Sequence, residues 1–234
     1  DQREAGPVHV GHQMWERLGL DELLGRAGLT PRACVLTEIM TLNRLVFPLS
    51  EHAMPDWIRR TALADILGAD FRSLADESLY QNLDRLHPRR ATIEQDLAHR
   101  ERTLFDLDDS IYLYDLTSTY FEGQCHRNPQ AKRGYSRDGR PDCKQVVVGL
   151  VLNREGFPKA HEVFDGNRTD RTTLDDILTV LEARTERKGG ATVVVDRGMA
   201  FDDNLQQIKS RGYHYIVASR PGERNDHIDE FEDA

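Results

Sequence analysis

Cysteine is scarce. Only Cys34, Cys125 and Cys143 are present, odd in number and far apart. That argues against a disulfide framework and for a reducing cytoplasm. No CxxC pair accompanies Cys125-His126 and Cys143, so the paired spacing of a structural zinc site is missing. No apolar run approaches the roughly 18 to 20 residues of a membrane span. The opening DQREAGPVHV lacks the apolar core of a secretory signal and begins without Met, so residue 1 is not expected to be a native start. Positive charge is in deficit, with 31 Lys and Arg against 40 Asp and Glu, a net charge of −9. Affinity for DNA comes largely from Lys and Arg neutralising phosphates, so this balance argues against a whole-surface DNA binder. A local basic groove on an acidic body remains compatible with it. Internal repeats and low-complexity linkers are also absent.

What is present is a globular composition: 38% hydrophobic and 30% charged over 234 residues. That suffices for one large domain or two smaller ones with a real core. The first hundred residues read as helix. Thr30-Pro31 supplies an N-cap hydroxyl and then proline at the first helical position. Val35, Leu36, Ile39, Met40, Leu42, Leu45 and Val46 follow near helical spacing until Pro48. Trp15, Leu18, Leu23 and Leu24 predict an earlier amphipathic helix closed by a glycine. Ala62 to Leu67 predicts another, ended by Gly68. Asp76 is expected to cap a helix carrying Leu79, Leu83 and Leu86. Thr92 is expected to open one with Ile93, Leu97 and Leu104 inward. Core packing accounts for these stripes, and a DNA-contacting helix among them stays open.

Near residue 110 the pattern changes. Ser110 to Tyr114 is a β-branched and aromatic run. Lys144 to Leu152 is nearly continuous in apolar residues, as in a strand buried on both faces. Asn153 to Gly156 predicts a turn, with Pro158 to Phe164 returning as a hairpin partner. Thr172 to Arg187 reads as a helix with Leu174, Ile177, Leu178 and Leu181 on one face, capped by Thr172 or Thr173 and ended by Gly189-Gly190. Thr192 to Val195 is a buried strand, Asp202 to Lys209 a short helix, and Tyr213 to Ala218 a last strand. Strands 1–3, helix, strand 4, helix, strand 5 predicts an α/β fold with a mixed sheet covered by helices. This is the element order of a ribonuclease-H-like domain. Two regions follow: an all-helical N-terminal region, 1–108, and an α/β region, 109–234.

Two acids stand in matching positions. Asp115 ends Ile-Tyr-Leu-Tyr, and Asp196 ends Thr-Val-Val-Val. A carboxylate at the end of a buried strand is held rigidly at the sheet edge, where α/β proteins place their sites. Two converging carboxylates repel unless a cation lies between them. Hard Mg²⁺ accepts one or two carboxylates, with water and phosphate oxygens completing its shell. A pair of such ions activates water or a 3′-hydroxyl and stabilises the leaving oxygen of a phosphodiester. Either aspartate alone serves equally well as a turn former or helix cap.

Residues 116–143, between strands 1 and 2, are long for a hairpin connection. They hold Lys132, Arg133, Arg137 and Arg140, with Tyr135 interleaved and Lys144 just after. Cations for phosphates and a ring for stacking suit a nucleic-acid strand, and a solvated loop has the same composition. Asn167 and Arg168, just before a helix, are placed to meet phosphate at its N-terminus or to form a turn and cap.

Four segments occur in order: Asp115-Leu-Thr-Ser-Thr-Tyr-Phe-Glu122; Gly134-Tyr-Ser-Arg-Asp-Gly-Arg-Pro-Asp142 with Lys144-Gln145; Gly166-Asn-Arg-Thr-Asp170; and Val194-Val-Asp-Arg-Gly-Met199. They resemble successive motifs of bacterial DDE transposases of the insertion-sequence-four type. The resemblance implies a ribonuclease-H-like catalytic core using Mg²⁺ or Mn²⁺, with Asp115 and Asp196 as the first two metal-holding, catalytic acids. It implies DNA as partner, both element ends and target, and a homodimer in the DNA complex within a bacterial cytoplasm, at the nucleoid. The implied reaction is metal-dependent strand cleavage and strand transfer at insertion-sequence ends. Lys132, Arg133, Tyr135, Arg137, Lys144, Asn167, Arg168 and Arg197 are the candidate DNA contacts. The family's third acid, a Glu on a later helix in a motif with Tyr, Arg and Lys, has no counterpart before Ala234. Glu223, Glu230 and Glu232 fall instead in an acidic run with Asp226, Asp229 and Asp233 that reads as a solvated tail. The expectation is a chain truncated at both ends. Two other readings stay open: a catalytically dead fragment that binds DNA or full-length transposase, and a compact ribonuclease-H-like nuclease drawing its last acid from the tail.

Overall fold

The computed structural model describes residues 3–105 and 107–218. The acidic run holding Glu223, Glu230 and Glu232 lies outside the described residues. The chain divides into two compact units, Asp1–Asp96 and Leu97–Ala234. No helix among the described residues is long and apolar enough to cross a membrane.

The first unit is helical: α1 Gly6–Arg17, α2 Leu20–Arg26, α3 Pro31–Val46, α4 Met54–Arg60, α5 Leu63–Ile66 and α6 Asp76–Leu86. The single early helix expected from Trp15 to Leu24 is two helices, because Gly19 adopts a left-handed conformation (φ 60) between them. Thr30 caps α3 as expected, its hydroxyl accepting from the Ala33 amide at 3.3 Å. Asp76 does not cap α6. It is the first helical residue, after Ala75, and its carboxylate accepts from the Glu77 amide and lies 2.7 Å from His52. Val8, Leu36, Ile39, Leu42, Met54, Trp57 and Leu79 form the core of this unit, while Leu83 turns outward. Helix α7, Arg90–Phe105, begins in this unit and ends in the next. Leu104, expected inward on α7, is exposed.

The second unit is built on a five-stranded sheet in the order β3-β2-β1-β4-β5. Its strands are β1 Ile111–Phe121, β2 Lys144–Asn153, β3 Pro158–Asp165, β4 Thr192–Val195 and β5 His214–Val217. The β1–β2 and β2–β3 pairs are antiparallel, and β4 runs parallel to both β1 and β5. With α8 Leu174–Thr185 and α9 Asp202–Ser210 in between, this is the ribonuclease-H-like arrangement that the element order predicts. Leu174, Ile177, Leu178 and Leu181 of α8 are fully buried in one core with Tyr112, Tyr114, Leu116, Val147, Val151, Val193 and Val195. Removing that apolar surface from water stabilises the unit, at roughly 1.5–3 kcal/mol for each such side chain.

Three local expectations are corrected. Strand β1 continues beyond Tyr114 to Phe121, because Leu-Thr-Ser-Thr-Tyr-Phe is itself β-branched and aromatic and pairs with β2 as far as Lys144. Strand β2 is not buried on both faces: Leu150 is exposed on the side that also carries exposed Leu113 of β1. Helix α8 is shorter than 172–187. It ends where Glu186 turns left-handed, and Thr173 gives no side-chain cap.

Candidate active site

Strand β4 accompanies β1 only over Ile111–Leu113, opposite Thr192–Val194. Asp115 and Asp196 each lie two residues beyond the last paired positions, Leu113 and Val194. There β4 leaves the sheet for a 3-10 turn, Arg197–Met199. Asp196 therefore ends its strand as read from sequence. Asp115 does not end its own: it is mid-strand, opposite Leu150 of β2. β1 outlasts its parallel neighbour, so both acids lie at the carboxyl end of β4, and the charge of Asp115 acts on Asp196. Asp115 sits on the outward side of the alternating strand, between buried Tyr114 and Leu116. Its carboxylate accepts from the Leu116 amide at 2.7 Å.

The carboxyl of Asp196 is raised above the ordinary aspartate range. Partial burial is the largest cause, followed by the charges of Asp170 and Asp115; the Gly198 and Met199 amides act in the opposite direction. Asp170 carries no signal of its own in the sequence beyond closing the Gly166–Asp170 segment. A Cβ on Gly198 would stand 2.7 Å from Asp170 Oδ2 and 3.2 Å from Asp196 Oδ1, so both carboxylates converge on this glycine. The Thr173 hydroxyl, expected to cap α8, instead donates to the Asp170 carbonyl at 3.0 Å and accepts from the Tyr114 hydroxyl at 2.9 Å. Nothing in sequence spacing connects residue 170 with residue 196; the turn after β3 makes that connection.

The connection between β1 and β2 spans residues 122–143, shorter than the expected 116–143 because β1 is longer. Its second half is fixed rather than loosely solvated. The Lys132 and Gln145 backbones exchange hydrogen bonds at 3.1 and 2.9 Å. The buried Gln145 side chain donates to the Tyr135 carbonyl at 2.9 Å and to the Gly166 carbonyl at 2.8 Å. A Cβ on Gly134 would collide with the Gly166 carbonyl, so this close approach requires glycine. Arg140 donates twice to Asp142, at 3.0 and 2.9 Å, and lies over the Tyr120 ring. That fork holds the Asp142 carboxyl down at about 2.

The fold separates the candidate DNA contacts into two sets. Lys132 is paired with Asp165. Arg168 is paired with Asp176 and lies over the Phe164 ring. Arg137 donates to Asp170 at 3.0 Å. Arg133, Lys144 and Arg197, in contrast, have no acidic partner among the described residues, and Arg133 and Arg197 are exposed. Tyr135 is 84% exposed. Sequence reasoning missed Arg171, which pairs with Asp203 and stacks 4.6 Å over Phe201. Tyr135, Arg137, Asn167, Arg171, Gly198 and Phe201 line a cavity of about 500 Å³, whose wall thus includes the glycine that Asp170 and Asp196 face.

No cluster of three or more His, Cys, Asp or Glu side chains close enough to hold a metal ion occurs among the described residues, Cys125, His126 and Cys143 included. The convergence of Asp115, Asp196 and Asp170 is looser. It still fits a hard divalent cation, which takes one or two protein carboxylates and leaves its other positions to water and phosphate. Such a cation would also offset the burial and the neighbouring negative charges that raise Asp196.

A family model described as "Transposase DDE domain" matches residues 106–229. No curated protein matches the chain. Among solved structures, a Mos1 transposase paired-end complex with left transposon end is similar at 11% identity and a TM-score of 0.34, over 88% of this chain and 73% of that one. A Mos1 mariner paired end complex with Mn is 13% identical with a TM-score of 0.31, over 85% and 64%. A piggyBac transposase synaptic complex with hairpin DNA is 11% identical with a TM-score of 0.41, over 82% of this chain and 42% of that one.

Proposed function

This chain belongs to the transposase DDE-domain family, and we propose that Asp115 and Asp196 are the acids through which it acts on DNA phosphodiesters. The observation that supports this reading is that β1 and β4 pair in parallel up to Leu113 and Val194, each two residues short of an aspartate, and that the charge of Asp115 acts on Asp196. A divalent cation, Mg²⁺ or Mn²⁺, supplies activation of the attacking hydroxyl and stabilisation of the leaving oxygen when bound. Asp115 is rigid because its strand is paired with β2 on one side. Asp196 is placed by the end of β4 and the 3-10 turn Arg197–Met199 that follows it. Together they would hold that cation.

Cations elsewhere on this unit receive the DNA. Arg133, Lys144 and Arg197 have no acid to neutralise them within the described fold, so they are available to flanking phosphates. Tyr135 offers a ring for base stacking, and Asn167 lies on the same cavity wall. The reaction is strand cleavage and strand transfer at the ends of a bacterial insertion sequence of the insertion-sequence-four type, carried out by a homodimer on DNA.

Mn²⁺ binding in the presence of duplex DNA, followed by electron paramagnetic resonance, tests the assignment. Asp115→Asn and Asp196→Asn should each weaken binding by about tenfold or more, close to 1.4 kcal/mol per decade, with thermal melting preserved. Undiminished Mn²⁺ binding by the double variant would sink it.

A further inference from the structure

The Arg137–Asp170 pair differs from the other ion pairs of this unit in where it sits. Lys132 is tied to the end of β3 through Asp165, and Arg140 to its near neighbour Asp142. Arg137 is tied to an acid that faces Asp196 across Gly198. Both partners are about two-thirds buried, with side-chain exposures of 32% and 29%. An acid placed beside two others raises the electrostatic cost of the site, and the guanidinium offsets it.

The acid is also firmly placed. The Tyr114 hydroxyl donates to Thr173, and the Thr173 hydroxyl donates to the Asp170 carbonyl. Tyr114 is the neighbour of Asp115, so Asp170 is referenced to the strand that carries the first acid. The contact from Arg137 to Asp170 is a single bond, Nη2 to Oδ1 at 3.0 Å. A guanidinium has five N–H donors in a rigid fork, so most of its capacity is uncommitted. Arg137 also lines the cavity with Tyr135 and Asn167, at the edge of the carboxylates.

We infer that Asp170 is a positioning residue: it holds the Arg137 guanidinium on the Asp196 side of the cavity, where its free donors engage a phosphate of the DNA strand entering the site. This rests on the reading of the site as a DNA site. Asp170 acts through Arg137 and makes no DNA contact itself.

The test is fluorescence anisotropy with a labelled DNA duplex of arbitrary sequence, titrated over a series of KCl concentrations. Thermal melts accompany it to show that each variant is folded. Arg137→Ala should lower the slope of log K against log salt by about 0.9, the loss of one phosphate contact. Asp170→Asn removes the charge and keeps the side chain's size. It should lower the slope by the same amount, and the double variant should lose no more than either alone. A slope that holds or rises in Asp170→Asn would overturn the inference, since Asp170 would then be restraining Arg137 from DNA. Additive losses in the double variant, or an unchanged slope in Arg137→Ala, would also overturn it while leaving the DNA reading intact. An absence of salt-dependent binding by the native chain would remove both.

Discussion

The side-chain amide of Gln145 donates to the Gly166 carbonyl at 2.8 Å, and a Cβ on Gly166 would collide with the backbone carbonyl of that same Gln145. Here the loop carrying Tyr135 and Arg137, the start of β2 and the end of β3 are locked together. The obstruction is backbone against backbone, so no rotamer change relieves it. Gly166→Ala should destabilise the protein by roughly 1–3 kcal/mol or more, read from urea unfolding. Limited proteolysis within 130–143 should speed up at the same time. Native-like stability in that variant would mean that the loop is not seated on β2.

The pairing of Lys132 with Asp165, set against the unpaired Arg133 and Arg197, makes a prediction about binding. Arg133→Ala and Arg197→Ala should each reduce the salt slope of duplex binding by about 0.9. Lys132→Ala should leave the slope unchanged, because its ammonium is already engaged by Asp165. Anisotropy titrations in KCl distinguish the two groups. Equal losses for all three would mean that DNA displaces the Lys132–Asp165 pair.

Lys159 is a buried cation on β3, 3.1 Å from the equally buried Asp109 and 3.3 Å from Glu101. Lys159→Ala leaves buried Asp109 with only Arg187, 3.7 Å away and half exposed, to offset its charge, so it should cost up to about 3–5 kcal/mol. Chemical denaturation measures it. A loss below about 1 kcal/mol, the level of an exposed pair, would show that water reaches Asp109.

Glu38 gives a pH signature in the helical unit. It is buried on α3, and His12 Nδ1 lies 2.6 Å from its carboxylate. Burial raises its carboxyl above the usual glutamate range; the bond and charge of His12 lower it, and Asp21 and Glu16 raise it further. A folded-state pKa above the unfolded value, about 4.3, means that stability is fully present below that value and is lost as pH rises through the folded pKa. Glu38→Gln cannot ionise and escapes this loss. It should match the native chain near pH 4 and become the more stable of the two toward neutrality, in urea titrations at both pH values. A variant weaker than the native chain at neutral pH would show that the ion pair with His12 outweighs the burial cost.

Much of this protein was legible as sequence because the signals are local. Thr30-Pro31 announces α3, the four apolar residues of α8 share one helical face, and Thr-Val-Val-Val leads directly to Asp196. Side-chain periodicity and capping involve residues only a few positions apart. The tertiary structure decided the rest. Asp115 is mid-strand because β1 continues past the end of β4, a matter of pairing length. Asp170 enters the site because the turn after β3 is tied to Tyr114. Lys132 and Arg137 look alike in the loop, yet each is paired with an acid 33 residues away, while Arg133 between them has no acidic partner among the described residues. A charge's availability depends on what stands within a few ångströms of it, and strand register sets that across separations that no local pattern spans.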